Sequence, residues 1–108
     1  MNKLILEATD TTPKITLDHL QNKFEIIGES CPEDAKQFYN PLFAWIDEYK
    51  KSLYFINDHS GTKKKLVFTF HLSYVSSSAL KYTYNLLQKL EELTPLCETI
   101  SIDRKSVV

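Results

Sequence analysis

Apolar and polar positions alternate in several short stretches of this chain and recur at helical spacing in two long ones. Residues 3–8 are apolar enough for a strand. Residues 14–17 alternate, and residues 23–27 follow after a polar interval at 18–22, so the pattern predicts a second strand, a turn, and a third strand pairing back on the second. The interval Thr9-Asp10-Thr11-Thr12-Pro13 predicts another turn, because Thr and Asp side chains bond nearby backbone and proline fixes φ. Gly28 is expected to close the third strand. The clearest strand spans 66–74, with Leu66, Phe68, Phe70, Leu72 and Tyr74 on one face and Val67, Thr69, His71 and Ser73 on the other. Its β-branched Val67 and Thr69 predict a central place in the sheet. Residues 98–102 predict a last strand.

Two helices interrupt this alternation. Ser30-Cys31-Pro32-Glu33 fits a capping box, in which Ser30 and Glu33 satisfy each other's free N–H groups and Pro32 occupies the first turn. Ala35, Phe38, Tyr39, Leu42, Ile46, Tyr49 and Leu53 then recur at helical spacing, with Phe43 and Trp45 widening the arc. Pro41 removes one backbone donor from this helix and predicts a bend. Residues 57–61 and the lysines 63–65 predict a solvated loop. Ala79, Leu80, Thr83, Leu86, Leu87, Leu90 and Leu93 mark the second helix, which Thr94-Pro95 ends. The order is three strands, helix, strand, helix, strand. It predicts one α/β domain: a mixed sheet covered by two long helices, with a right-handed parallel crossover after Leu66.

Composition narrows the function. The 108 residues, 43% of them hydrophobic, suit one ordinary domain with a real core. A net charge of −1 gives no long-range attraction to nucleic acid or to an anionic membrane. No apolar run is long enough to cross a bilayer, and no secretory signal opens the chain. Cys31 and Cys97 form no Cys-x-x-Cys pair and read as free thiols in the cytoplasm.

Catalytic and metal chemistry find little support. Ser76, Ser77 and Ser78 lie near His71, but a nucleophile elbow needs glycines, and the chain has only Gly28 and Gly61. His19, His59 and His71 are scattered without metal-ligand spacing, so no metal or other cofactor is expected. The aromatic residues of the first helix read as core, except Trp45, which lies off the main stripe and is expected to be a partly exposed interface anchor. The serines have a plain reading as a helix cap within a polar turn. They also have a sharper one. A hydroxyl at a helix N-terminus sits where free N–H groups and the helix dipole favour a phosphate.

Several segments together resemble the SiaC family of bacterial regulatory phosphoproteins. They are Glu7-Ala8-Thr9 with Thr12-Pro13, the run "GESCPED" at 28–34, Phe38-Tyr39, Pro41-Leu42 with Trp45, and residues 70–78. The resemblance extends from residue 4 to about residue 102. It implies a fold like that of the anti-sigma-factor antagonists (STAS-like) and a binding protein rather than an enzyme. It further implies partner switching, in which a histidine-kinase-like ATPase phosphorylates the strand–helix junction, a serine/threonine phosphatase reverses it, and the unmodified form binds a signalling partner such as a diguanylate cyclase, with a link to biofilm control. The family's "Asn-Thr-Ser-Ser" falls on Ser76, Ser77, Ser78 and Ala79, which makes Ser77 the phosphorylated position and Ser76 and Ser78 its loop. Ser73 stands where an aspartate is frequent, and Cys31 where "GESYPE" has tyrosine. Glu29, Ser30, Pro32, Glu33 and Asp34 are expected to line a neighbouring docking edge, with Trp45 as a further contact. The resemblance implies a further C-terminal helix that is not seen after residue 103, so the protein is expected to be either naturally short or a shortened form; if that helix covers the sheet in relatives, an exposed apolar patch and a homodimer are expected. A constitutive scaffold or homo-oligomeric domain without the switch is the alternative reading.

Overall fold

The computed structural model describes residues 2–60, 65–97 and 99–106, with side chains described for 2–55 and 65–97. Five strands, β1 (Leu4–Leu6), β2 (Lys14–Asp18), β3 (Lys23–Ser30), β4 (Lys65–Val75) and β5 (Thr99–Ser106), form one sheet in the order of the chain. β1, β2 and β3 pair antiparallel, whereas β3, β4 and β5 run parallel. The two parallel steps are bridged by α1 (Ala35–Ser60) and by α2 (Ser77–Glu91) followed by a short 3-10 turn, Thr94–Leu96. This is the mixed sheet the alternation predicts.

Both helices bury their apolar arcs on one face of the sheet. Cross-strand rows such as Ile15, Ile26 and Phe70, or Leu17, Phe24 and Phe68, meet Tyr39, Leu42, Ile46, Tyr49 and Leu53 of α1 and Ala79, Leu86, Leu87 and Leu90 of α2 in a single cluster. Each large side chain withdrawn there from water contributes about 1.5–3 kcal/mol. The rings pack closely, with centroids 4.6 Å apart for Phe24 and Phe68 and 5.1 Å for Trp45 and Tyr49. On the opposite face Ile5, Ile27 and Val67 are exposed.

The turns form by the expected chemistry. Thr9 Oγ1 accepts the N–H groups of Thr11 and Thr12, and Asp18 Oδ1 accepts those of Leu20 and Gln21. Several boundaries differ from the sequence reading. Gly28 does not close β3, which continues to Ser30. Instead it stands at φ +128° beside a register shift: Gly28 pairs with Leu72, but Glu29 pairs with Tyr74. Ser73 is thus an extra residue in β4. Beyond it the alternation slips by one, so Tyr74 is exposed and Val75 packs against the core. Residues 57–60 belong to α1, not to a loop, because the modest helix propensities of Asn, Asp and Ser do not stop a long hydrogen-bonded ladder. Lys65 opens β4, whereas Gly61 and lysines 63 and 64 lie outside the described residues. Leu80 is exposed, since the buried arc of α2 runs through Ala79, Thr83, Leu86, Leu87 and Leu90, one position aside.

Two expected outcomes follow from this packing. A Cβ at Gly28 would lie 3.3 Å from the backbone Cα of Pro13 at a φ that side chains resist, so Gly28→Ala should lower the unfolding free energy by about 1–3 kcal/mol, read from urea denaturation. The Tyr49 hydroxyl is buried without a hydrogen-bonding partner among the described residues, and burial, with Cys97 adding to it, pushes its phenol from 10.0 up to about 12. Below the lower value both states keep the proton and stability is unaffected. Between the two, the unfolded chain releases a proton that the folded chain holds, so stability should fall with rising pH by up to about 3 kcal/mol. Tyr49→Phe should remove that component, seen as a smaller drop in urea midpoint between about pH 8 and about pH 11.

Candidate functional site

The three serines divide their duties where β4 hands over to α2. Ser76 is the N-cap, with extended backbone at φ −69° and ψ 159°. Its Oγ accepts the Ala79 N–H at 3.3 Å, and its carbonyl accepts the Leu80 N–H at 2.9 Å. Its own N–H donates to the Ser30 carbonyl at 2.9 Å, which ties the corner to the end of β3. Ser78 Oγ lies 3.3 Å from Ser76 Oγ. Ser77 begins α2 and is exposed, and its hydroxyl makes no hydrogen bond among the described residues. Ser76 holds the turn, Ser78 leans on it, and the Ser77 hydroxyl, exposed like that of Ser78, bonds to neither. The first turn of α2 contains no acidic residue, so nothing on the helix itself offsets the positive end of its dipole at Ser77.

A line of buried hydroxyls lies beneath this corner. Ser30 Oγ and the Tyr39 hydroxyl are 2.6 Å apart, the Tyr39 hydroxyl and Thr83 Oγ1 3.1 Å, and Thr83 Oγ1 donates to the Ala79 carbonyl at 3.0 Å. The proton order is fixed by counting donors. A carbonyl only accepts, so Thr83 spends its single proton on Ala79 and must accept from Tyr39. Tyr39 has then spent its own proton and must accept from Ser30.

This geometry corrects the capping-box reading. Ser30 is fully buried and turned toward Tyr39, and α1 is capped by Asp34, whose Oδ1 accepts the Gln37 N–H at 3.0 Å. Of the expected docking edge, Glu29, Glu33 and Asp34 are exposed, while Ser30 and Pro32 are buried. Trp45 is not a partly exposed anchor. It is only 7% exposed, packs against Phe24 and Tyr49, and donates its Nε1–H to the Asn2 carbonyl at 2.8 Å. Its position between Leu42 and Tyr49 widens the buried arc toward β2 and β3 instead of facing water. Tyr39 and Thr83 had no assigned role in the sequence reading. Their signal is a hydroxyl standing inside an apolar stripe, which demands a partner.

Exposed apolar side chains lie on the helix face that begins at Ser77 and in the strand that leads to it. Leu80 and Tyr84 follow it at three and seven residues along one face of α2, 41% and 58% exposed, with Lys81 beside them. Tyr74, 50% exposed, precedes the corner and is paired in register with Glu29. Among the described residues, no group of three His, Cys, Asp or Glu side chains could hold a metal ion, and no helix is long and apolar enough to cross a membrane. Neither Cys31 nor Cys97 is in a disulfide.

The chain is thus a small mixed sheet backed by two helices, with an exposed serine at one strand–helix corner. Residues 6–103 match the family described as SiaC family regulatory phosphoprotein, and the chain belongs to that family. Solved structures share the fold. SiaC of Pseudomonas aeruginosa aligns with 17% identity and a TM-score of 0.66 over 99% of this chain and 100% of that one. The crystal structure of apo-SiaC from the same organism gives 18% identity and a TM-score of 0.66 over 96% of this chain and 100% of that one. The crystal structure of the diguanylate cyclase SiaD in complex with its activator SiaC gives 21% identity and a TM-score of 0.72, covering 92% of this chain and 74% of that one. No curated protein matches the chain at a significant level.

The division of labour among the serines is measurable. Ser76→Ala should cost about 1 kcal/mol of unfolding free energy through the lost cap. Ser77→Ala, which breaks no bond, should stay within about 0.5 kcal/mol of the parent in the same urea titration.

Proposed function

We propose that this chain is a non-enzymatic, cytoplasmic regulatory phosphoprotein that works by partner switching, with Ser77 as the residue that carries the phosphate. One observation carries the reading: of three serines at the corner, only Ser77 offers an exposed hydroxyl with no structural duty. Phosphorylation there adds nearly two negative charges at the start of a helix, where the dipole tolerates them, so the fold survives the modification. The same charge falls on the helix face that displays Leu80 and Tyr84. A partner that covers those side chains would have to desolvate the phosphate, and binding would weaken. The unmodified form is therefore the binding form.

The partner under this reading is a signalling enzyme of the diguanylate cyclase type. A structural neighbour of this chain is SiaC bound as activator to the diguanylate cyclase SiaD, and that supports the assignment. A histidine-kinase-like ATPase would add the phosphate and a serine/threonine phosphatase would remove it. The reading also extends to likeness with the anti-sigma-factor antagonists, which a sheet covered by helices on one face supports. Cysteines 31 and 97 outside any disulfide suit the cytoplasm.

Binding to the diguanylate cyclase of the same genome, measured by titration of purified proteins, tests the proposal. Ser77→Ala should bind within about twofold of the parent, whereas Ser77→Asp and Leu80→Glu should each weaken binding tenfold or more, about 1.4 kcal/mol. Equal retention of the partner by Ser77→Ala and Ser77→Asp would favour a constitutive scaffold and end the switch reading.

A further inference from the structure

The hydrogen bonds around the corner close into a ring. Ser76 N–H donates to the Ser30 carbonyl, Ala79 N–H to Ser76 Oγ, Thr83 Oγ1–H to the Ala79 carbonyl, the Tyr39 hydroxyl to Thr83, and Ser30 Oγ–H to Tyr39. The ring passes through β3, α1 and α2 and encloses the turn that bears Ser77. Ser30, Tyr39 and Thr83 are all buried, so each lost partner leaves a polar group stranded away from water. Tyr39 is the only member contributed by α1. It is also held on its flanks, stacked on Tyr82 at 6.1 Å and edge-on to Phe38 at 5.2 Å, so its hydroxyl has little freedom to move.

We propose that Tyr39 is a positioning residue for Ser77: through Ser30 and Thr83 its hydroxyl clamps the first turn of α2 to the end of β3 and holds the Ser77 hydroxyl in one geometry for phosphoryl transfer. The clamp itself follows from the ring; its consequence for phosphorylation rests on the switch reading above. The effect is local. Tyr39→Phe keeps the ring system, its stacking and its volume, but leaves Ser30 without an acceptor and Thr83 without its donor. The core stays packed while the corner opens more often.

Two measurements test this. In amide hydrogen exchange of the full chain, Tyr39→Phe and Thr83→Val should each speed exchange at Ser76, Ala79 and Leu80 by about tenfold relative to Leu86 and Leu90 in the middle of α2. Thr83→Ser, which restores the hydroxyl, should exchange like the parent. A uniform increase along α2, or none at the corner, would overturn the clamp, since a residue that only packs the core loosens the whole helix. The second measurement is the initial rate of phosphate incorporation at Ser77 by the kinase of the same genome, with Ser77→Ala as the blank. Tyr39→Phe and Thr83→Val should slow it at least fivefold and Thr83→Ser should not. Rates equal to the parent in all three would overturn the positioning role. If the parent itself takes up no phosphate, the switch reading fails, and the exchange pattern alone decides whether the clamp exists.

Discussion

The hydrogen bond from Ser76 N–H to the Ser30 carbonyl, 2.9 Å long, joins the ends of β3 and β4 at the point where the sheet stops and α2 begins. It extends the β3–β4 pairing one residue past Val75, to the N-cap from which α2 starts. Its acceptor residue, Ser30, is fully buried at the end of its strand, and that burial is tolerable because the Ser30 hydroxyl has Tyr39 to bond. A buried hydroxyl without a partner costs about 1–3 kcal/mol, so the polar line from Ser30 to Ala79 stands or falls as a unit. The apolar core sets how much stability the domain has. The hydroxyl line sets where the corner sits.

The register shift in β4 serves the same corner. Ser73 is the residue that fits no pair, and its insertion turns Val75 inward and Tyr74 outward just before the serines. Gly28 lies opposite this irregularity, in a backbone conformation and at a distance from Pro13 that leave no room for a side chain. The β1–β2 turn, the bulge and the helix start are thereby stacked at one end of the sheet. Cys31 N–H donating to the Thr11 carbonyl at 2.7 Å adds another tie at that end. The segment "GESCPED" is thus structural at Gly28, Ser30 and Pro32, and presents only Glu29, Glu33 and Asp34 to solvent among its acidic and small residues, with Cys31 half-buried between them.

A phosphate at Ser77 would meet two opposing influences. Inward, it faces the N–H end of a fifteen-residue helix with no acidic side chain in the first turn, which favours the charge. Outward, it would share the helix face that displays Leu80 and Tyr84, the face a partner covers under the proposed reading. Under the proposed switch, the added charge would be tolerated by the fold and felt by whatever covers that helix face.

Strand and helix patterns were legible in the sequence because burial on one face imposes a period, and periods can be counted along a chain. Alternation over 66–72 and the stripes of α1 and α2 define the elements, and the three serines mark the strand–helix corner in the sequence alone. Other features depended on neighbours remote in sequence. Ser30 followed three residues later by Glu33 satisfied the capping pattern locally, yet Tyr39 claimed the Ser30 hydroxyl and Asp34 became the cap. Trp45 looked peripheral on its own helix, and the side chains of Phe24 and Tyr49 enclosed it. Tyr74 fell on the buried face by counting, until an unpaired Ser73 shifted the count. A sequence by itself determines which side chains seek burial and which hydroxyls stand at a helix start, since both are properties of short stretches. Which hydroxyl is free, and which polar group finds its partner across the core, is decided only when strands and helices from distant parts of the chain are brought within three ångströms of one another.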